Sequence, residues 1–131
     1  MHTLTPKLKM IGIGIDLVRI QRMADIINRS GEVFIKKLFT DREIELSSQE
    51  NRIVYFAMRF AAKEAILKAL SIGWTDGVKG TDIEIKRGKL GEPLVTLSGK
   101  VGEVAARKGV KRVFLSMSYD SEYAIAVAVL E

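Results

Sequence analysis

Residues 59–70 read RFAAKEAILKAL, the second half of a helix predicted over 52–70, and they carry an acid where an apolar residue is expected. At about 100° per residue, Ile53, Phe56, Phe60, Glu64 and Leu67 fall within a stripe about 80° wide, so Glu64 shares its face with apolar side chains. An ionised carboxylate there is disfavoured unless it meets a cation, binds a metal or takes up a proton. Lys68, one turn on, is the nearest cation. An intrahelical Glu64–Lys68 pair is therefore the plain structural alternative to a functional acid. Around the rest of its circumference the helix is apolar apart from Arg52, Arg59 and Lys63, a pattern that points to burial in a core or an interface and hints at an oligomer.

A second isolated acid, Asp16, lies in the stretch MIGIGIDL (10–17). Alternation places Ile11, Ile13, Ile15 and Leu17 on one face of a strand and Met10, Gly12, Gly14 and Asp16 on the other. Glycine inside a strand marks a bulge or the close approach of another backbone or a ligand. The structural alternative is helix packing against the glycines, with Asp16 capping the next helix. A dinucleotide fingerprint is rejected, because Leu17 stands where the third glycine would be needed.

The chain has 131 residues, 47% of them apolar and 28% charged, which fits one globular domain with a real core. No run of about 18 apolar residues is present and the opening MHTLTPKLK has no apolar core, so no membrane span or secretory signal is expected and a cytoplasmic location is. There is no cysteine, which removes disulfides, thiolate nucleophiles and zinc–thiolate sites. The only histidine, His2, lies in a polar tail over 1–9 that is expected to be flexible. Acid–base chemistry then falls to carboxylates, lysines, tyrosines or metal-bound water. A net charge of +5 suggests an anionic partner, whether nucleic acid, a phosphorylated cofactor or an acidic protein.

The other elements follow in order. A helix is expected over 18–31 with Ile20, Met23, Ala24 and Ile27 inward and Arg19, Arg22 and Arg29 elsewhere. A short helix covers 33–38, and Thr40 to Glu43 forms a capping box for another. Turn residues fill SIGWTDGVKGTD (71–82), where Trp74 reads as ordinary packing. DIEIKR (82–87) and PLVTLS (93–98) form a hairpin, a helix over 99–108 ends at Gly109, and a second hairpin joins KRVFLSMSYD (111–120) to EYAIAVAVLE (122–131). In its last strand Ala124, Ala126 and Ala128 face one way and Ile125, Val127 and Val129 the other, with both faces expected to be buried. This order predicts a single α+β domain, a small antiparallel sheet packed on a long helix.

GIGIDLVRI (12–20) and RFAAKEAILKAL resemble the two signature motifs of the 4′-phosphopantetheinyl transferases, and the length suits the small holo-[acyl-carrier-protein] synthase branch. The resemblance runs from Met10 to Leu130. It implies that Asp16 and Glu64 hold Mg²⁺ together with the pyrophosphate of coenzyme A, the co-substrate. A serine of an acidic acyl carrier protein would then attack the β-phosphate and 3′,5′-ADP would leave. Lys68 or Lys63 would stabilise the developing charge, and Glu64 or a metal-bound water would act as base. By the same resemblance Arg59, Lys63, Gly73 and Pro93 lie near the coenzyme, with Arg59 at the 3′-phosphate. Arg22, with Arg19 beside it, faces the carrier protein, and the assembly is a homotrimer with active sites between subunits.

Two positions depart from the family pattern. Glu92 replaces the lysine of a Gly-Lys-Pro turn, and Tyr119 follows Ser116-Met-Ser where many members carry histidine, although a tyrosine can still hydrogen-bond a phosphate. The rival readings are a basic nucleic-acid-binding domain, for which no motif or aromatic-interleaved basic stripe appears, and an inert oligomeric scaffold. The expectation is no nucleic-acid partner and no membrane.

Overall fold

The structure, a computed structural model, describes residues 9–75 and 77–131. His2 and nearly all of the expected N-terminal tail lie outside them. Among the described residues five strands and four α-helices follow one another as β1 (Gly12–Arg19), α1 (Ile20–Leu38), α2 (Asp41–Leu46), α3 (Arg52–Ala69), β2 (Ile83–Arg87), β3 (Pro93–Leu97), α4 (Gly99–Arg107), β4 (Val113–Tyr119) and β5 (Tyr123–Leu130). The single α+β domain expected from the pattern is present, with the strands divided between an antiparallel sheet ordered β1-β5-β4 and a separate β2-β3 hairpin.

α3 is the centre of the core. Ala61, Ala62, Ala65, Ile66 and Leu67 are at most 1% exposed, and the helix lies across the inner face of β1 and β5. That face is built from the smallest side chains, since the register sets Gly12 opposite Leu130, Gly14 opposite Ala128 and Asp16 opposite Ala126. A Cβ on Gly14 would overlap the carbonyl oxygen of Ala65, and one on Gly12 that of Ala69. The glycines of β1 therefore admit the helix backbone, as the packing alternative held, but Asp16 caps nothing: α1 starts after Arg19 with no side-chain cap.

The two helices expected over 18–31 and 33–38 run together as α1, kinked at Gly31, whose φ of 55° falls in the left-handed region. Met23 and Ile27 are buried as expected, with Ile20 and Ala24 half-buried. The capping box of α2 forms in full, Thr40 accepting from the Glu43 N–H and Glu43 from the Thr40 N–H.

Two expectations need correction. Arg59 and Lys63, expected beside the coenzyme, are 1% and 0% exposed and lie inside the protein. The strand β5 does not have two buried faces: its alanine face is buried on α3, while Ile125, Val127 and Val129 remain half-exposed. On the same outer face of the sheet Ile13, Ile15 and Leu17 are 60%, 56% and 57% exposed. The greasy circumference of α3 is thus covered within one chain, and the uncovered apolar surface belongs to the sheet. Among the described residues no helix is long and apolar enough to cross a membrane.

Gly14→Ala should lower stability by about 2–3 kcal/mol, because a rigid backbone, not a flexible side chain, stands where the methyl must go. Gly73→Ala, whose methyl meets open space, should stay within ~0.5 kcal/mol of the parent. Urea melts of the two variants would check both values, and equal stability would mean that α3 can lift off β1.

Candidate active site

Asp16 leaves the inner face of β1 just where the glycines end, and Glu64 and Lys68 reach it from α3. The three line one cavity of about 610 Å³ with Arg19, Arg22 and Tyr123, and Met23, Ile26, Phe34 and Phe60 form its apolar wall. Lys68 does not pair with Glu64. Its Nζ donates to Asp16 Oδ1 at 2.9 Å and to the Ile15 carbonyl at 3.2 Å. The hydrogen bond from Lys68 to Asp16 and their opposite charges raise the lysine's pKa, so it stays protonated at neutral pH. Glu64 is half-buried, and its Oε1 accepts from the Trp74 indole N–H at 2.8 Å.

At the rim, a guanidinium nitrogen of Arg19 donates to the Tyr123 hydroxyl at 3.2 Å, and the group sits 5.5 Å from that ring's centre. Arg22 is exposed and has no ion-pair partner among the described residues. Two basic side chains thus flank an acidic site.

The structure places other expected site residues elsewhere. Lys63 Nζ is fully buried and donates to Glu43 Oε1 at 2.6 Å, the Leu38 carbonyl at 2.7 Å and the Gly80 carbonyl at 2.9 Å. Burial lowers its pKa, and the Glu43 charge opposes that shift. With all three donor positions used inside the protein, Lys63 cannot contact a coenzyme, which corrects that expectation. Arg59 is likewise internal. Its guanidinium stacks 3.7 Å from the centre of the Tyr55 ring, its Nε and Nη1 lack acceptors, and burial lowers its pKa. In this chain it does not reach a surface where a 3′-phosphate could sit.

Pro93 lines a separate cavity of about 200 Å³ with Met58, Arg87, Gly91, Leu115, Ser116 and Met117. Gly73 and Tyr119 line neither cavity; Tyr119 is 57% exposed at the end of β4. The cavities share no residue. In the sheet, Asp16 and Met117 both stand opposite Ala126, one on each side of β5, roughly 10 Å apart at ordinary strand spacing. α3 supplies Glu64 and Lys68 to one cavity and Met58 to the other.

Sequence reasoning missed Glu43, Tyr123 and Trp74. Glu43 was visible only as a capping residue, and nothing in a linear pattern matched it to Lys63. Trp74 carried one faint signal, a lone tryptophan in a turn-rich segment ten residues after a suspect acid.

A family model described as ACPS, 4′-phosphopantetheinyl transferase superfamily, matches residues 12–128. The chain belongs to this superfamily. Within it, the holo-[acyl-carrier-protein] synthase of Geotalea daltonii is 41% identical over 121 residues, covering 92% of this chain and 97% of its own. A Vibrio cholerae enzyme of the same name is 42% identical over 125 residues, covering 93% of this chain and 98% of its own. Among transferases of known structure, the holo-[acyl-carrier-protein] synthase of Neisseria meningitidis superposes with a TM-score of 0.86 at 31% identity, covering 94% of this chain and 99% of that one. That of Helicobacter pylori, in complex with coenzyme A, gives 0.81 at 33%, covering 91% and 99%.

The donor set fits the metal that the resemblance implied. Asp16 and Glu64 offer hard oxygens at one cavity, with Asp16 Oδ2 and Glu64 Oε2 free of protein donors among the described residues. This suits Mg²⁺, which takes one or two carboxylates and fills its shell with water and phosphate. No group of three or more His, Cys, Asp or Glu gathers among the described residues, so a cage closed by protein ligands does not fit.

The Lys63–Glu43 pair sits 0% exposed on both sides. Glu43→Leu and Lys63→Met should each cost about 3–5 kcal/mol by stranding a buried charge, whereas the two changes together should cost clearly less than the sum. Denaturant unfolding of the three variants decides it; additive losses would mean that the pair is not coupled.

Proposed function

We propose that the chain transfers the 4′-phosphopantetheine group of coenzyme A to a serine of an apo-acyl carrier protein, in the cytoplasm, with release of 3′,5′-ADP. The observation that carries this reading is the convergence of Asp16, Glu64 and Lys68 on one basic-rimmed cavity in a chain of this family. The new bond joins the serine Oγ to the β-phosphorus. The bond broken is the anhydride P–O, whose electron pair leaves on 3′,5′-ADP.

Asp16 and Glu64 would hold Mg²⁺, which when bound supplies charge neutralisation at the pyrophosphate. Glu64, or water beside it, takes the serine proton. Lys68 has used two of its three donor positions on Asp16 and Ile15, so its third is free for a phosphate oxygen as negative charge builds. Arg22, unpaired at the rim among the described residues, suits an acidic side chain of the carrier, with Arg19 beside it.

The Pro93 cavity, which the resemblance puts beside the coenzyme, shares no residue with the acid cavity of the same chain. A second copy supplies the missing half. The outer sheet face of Ile13, Ile15 and Leu17 gives the copies an apolar surface to share, supporting a homotrimer with sites between subunits. There Arg87, Pro93 and Tyr119 of one subunit, with Gly73 in the loop after α3, border the coenzyme bound at the acids of the next.

Mass spectrometry of apo-carrier protein incubated with the chain, coenzyme A and Mg²⁺ should show the gain of one phosphopantetheine. Asp16→Asn and Glu64→Gln should each abolish it. Co-refolding Asp16→Asn with Arg87→Glu, each inactive alone, should restore part of the activity, because some mixed sites combine two intact halves. If the mixture stays inactive, each chain builds its site alone.

Arg22→Glu should raise the KM for carrier protein by at least ~10-fold, about 1.4 kcal/mol, and leave the KM for coenzyme A unchanged. The carrier effect should shrink with added salt. Equal rises in both KM values would place Arg22 in the framework of the site.

A further inference from the structure

Trp74 is the only tryptophan of the chain, and at 41% exposure its ring is not a core residue. α3 ends with the Ile72 N–H donating to the Leu67 carbonyl and the Ser71 N–H to the Lys68 carbonyl, each at 3.0 Å. These are the two bonds of a Schellman ending. Ser71 takes the left-handed position with φ 58°, alone among the described non-glycine residues, a conformation that side chains with a Cβ rarely adopt. This ending reverses the chain along the helix it has just left. Trp74 returns to Glu64, ten residues earlier, and its Nε1–H donates to Oε1 at 2.8 Å.

Among the described residues no other group donates to Glu64. The arrangement repeats at Asp16, where Lys68 holds Oδ1 at 2.9 Å. Each acid is therefore fixed through a single oxygen. The two donors differ in a way that matters: Lys68 brings a positive charge, whereas the indole is a neutral donor that orients a carboxylate without repelling a cation.

We propose that Trp74 is a positioning residue for Glu64, its indole N–H fixing Oε1 so that Oε2 is presented to the metal. This rests on the reading of Glu64 as a metal ligand. A donor to a ligating carboxylate is worth on the order of 10-fold in metal affinity.

Calorimetric titration of Mg²⁺, in the presence of coenzyme A, into the full chain and its Glu64→Gln and Trp74→Phe variants tests both points. Trp74→Phe keeps the ring and removes the donor. It should bind Mg²⁺ about 10-fold more weakly, with an unchanged melting temperature, a lower kcat and an unchanged KM for carrier protein. In the parent chain the fluorescence of the single tryptophan should shift on addition of Mg²⁺ and coenzyme A, and Glu64→Gln should abolish that shift. Parent-like Mg²⁺ binding by Glu64→Gln would overturn the ligand reading itself. Loss of binding in Glu64→Gln with full affinity in Trp74→Phe would overturn the role of Trp74 alone. So would a weakening in Trp74→Phe matched by a fall in melting temperature, which is a packing effect.

Discussion

The contact between the backbone of α3 and the glycine face of β1 is the constraint on which the rest depends. Gly12 and Gly14 leave no Cβ between the strand and the helix carbonyls of Ala69 and Ala65, and the alanines of β5 extend that shallow bed. A helix seated this low brings Glu64 and Lys68 level with Asp16, the next inward residue of the strand after Gly14. Longer side chains on either surface would raise α3 and carry its acid away from the acid of the sheet. The small residues that weaken the strand and enrich the helix in alanine therefore set the depth of the site.

A second fastening acts one residue away from the chemistry. Adjacent helical residues diverge by about 100°, so Lys63 turns inward where Glu64 turns to the cavity. Lys63 ties α3 to the end of α1 through Leu38, to α2 through Glu43 and to the segment before β2 through Gly80. Glu43 in turn receives the Ile85 N–H of β2 at 3.0 Å. One buried cation thus fixes the rotation of the helix about its own axis, and with it the direction in which Glu64 points.

Much of this was legible in the sequence because it obeys a period. The parity of β1, the amphipathic start of α1, the Thr40–Glu43 box and both hairpins follow from local spacing. The odd acid on α3 and the odd acid on β1 were visible for the same reason, each breaking its pattern. What the sequence hid were facts about depth and partner. Lys63 and Arg59 stood out only as charges on an otherwise apolar helix, because a periodic pattern cannot say that an acid from a different helix, or the face of Tyr55, awaits them. Lys68 is one turn from Glu64, yet it bonds Asp16, which is distant in the chain. The outer face of β5 read as buried because alternation shows that a face is apolar and not what covers it.

β1 carries its duties by parity. Its even positions, Gly12, Gly14, Asp16 and Val18, seat the helix and supply an acid; its odd positions, Ile13, Ile15 and Leu17, form the exposed apolar face. A slip of one residue against β5 would exchange the two sets at once, driving isoleucine into the helix backbone and turning the acid outward. The strand should consequently accept substitutions at its odd positions far more readily than any insertion or deletion. Natural length variation would then be pushed out to the residues ahead of Gly12 and to the turn before Tyr123, leaving the paired stretches of β1 and β5 fixed in length.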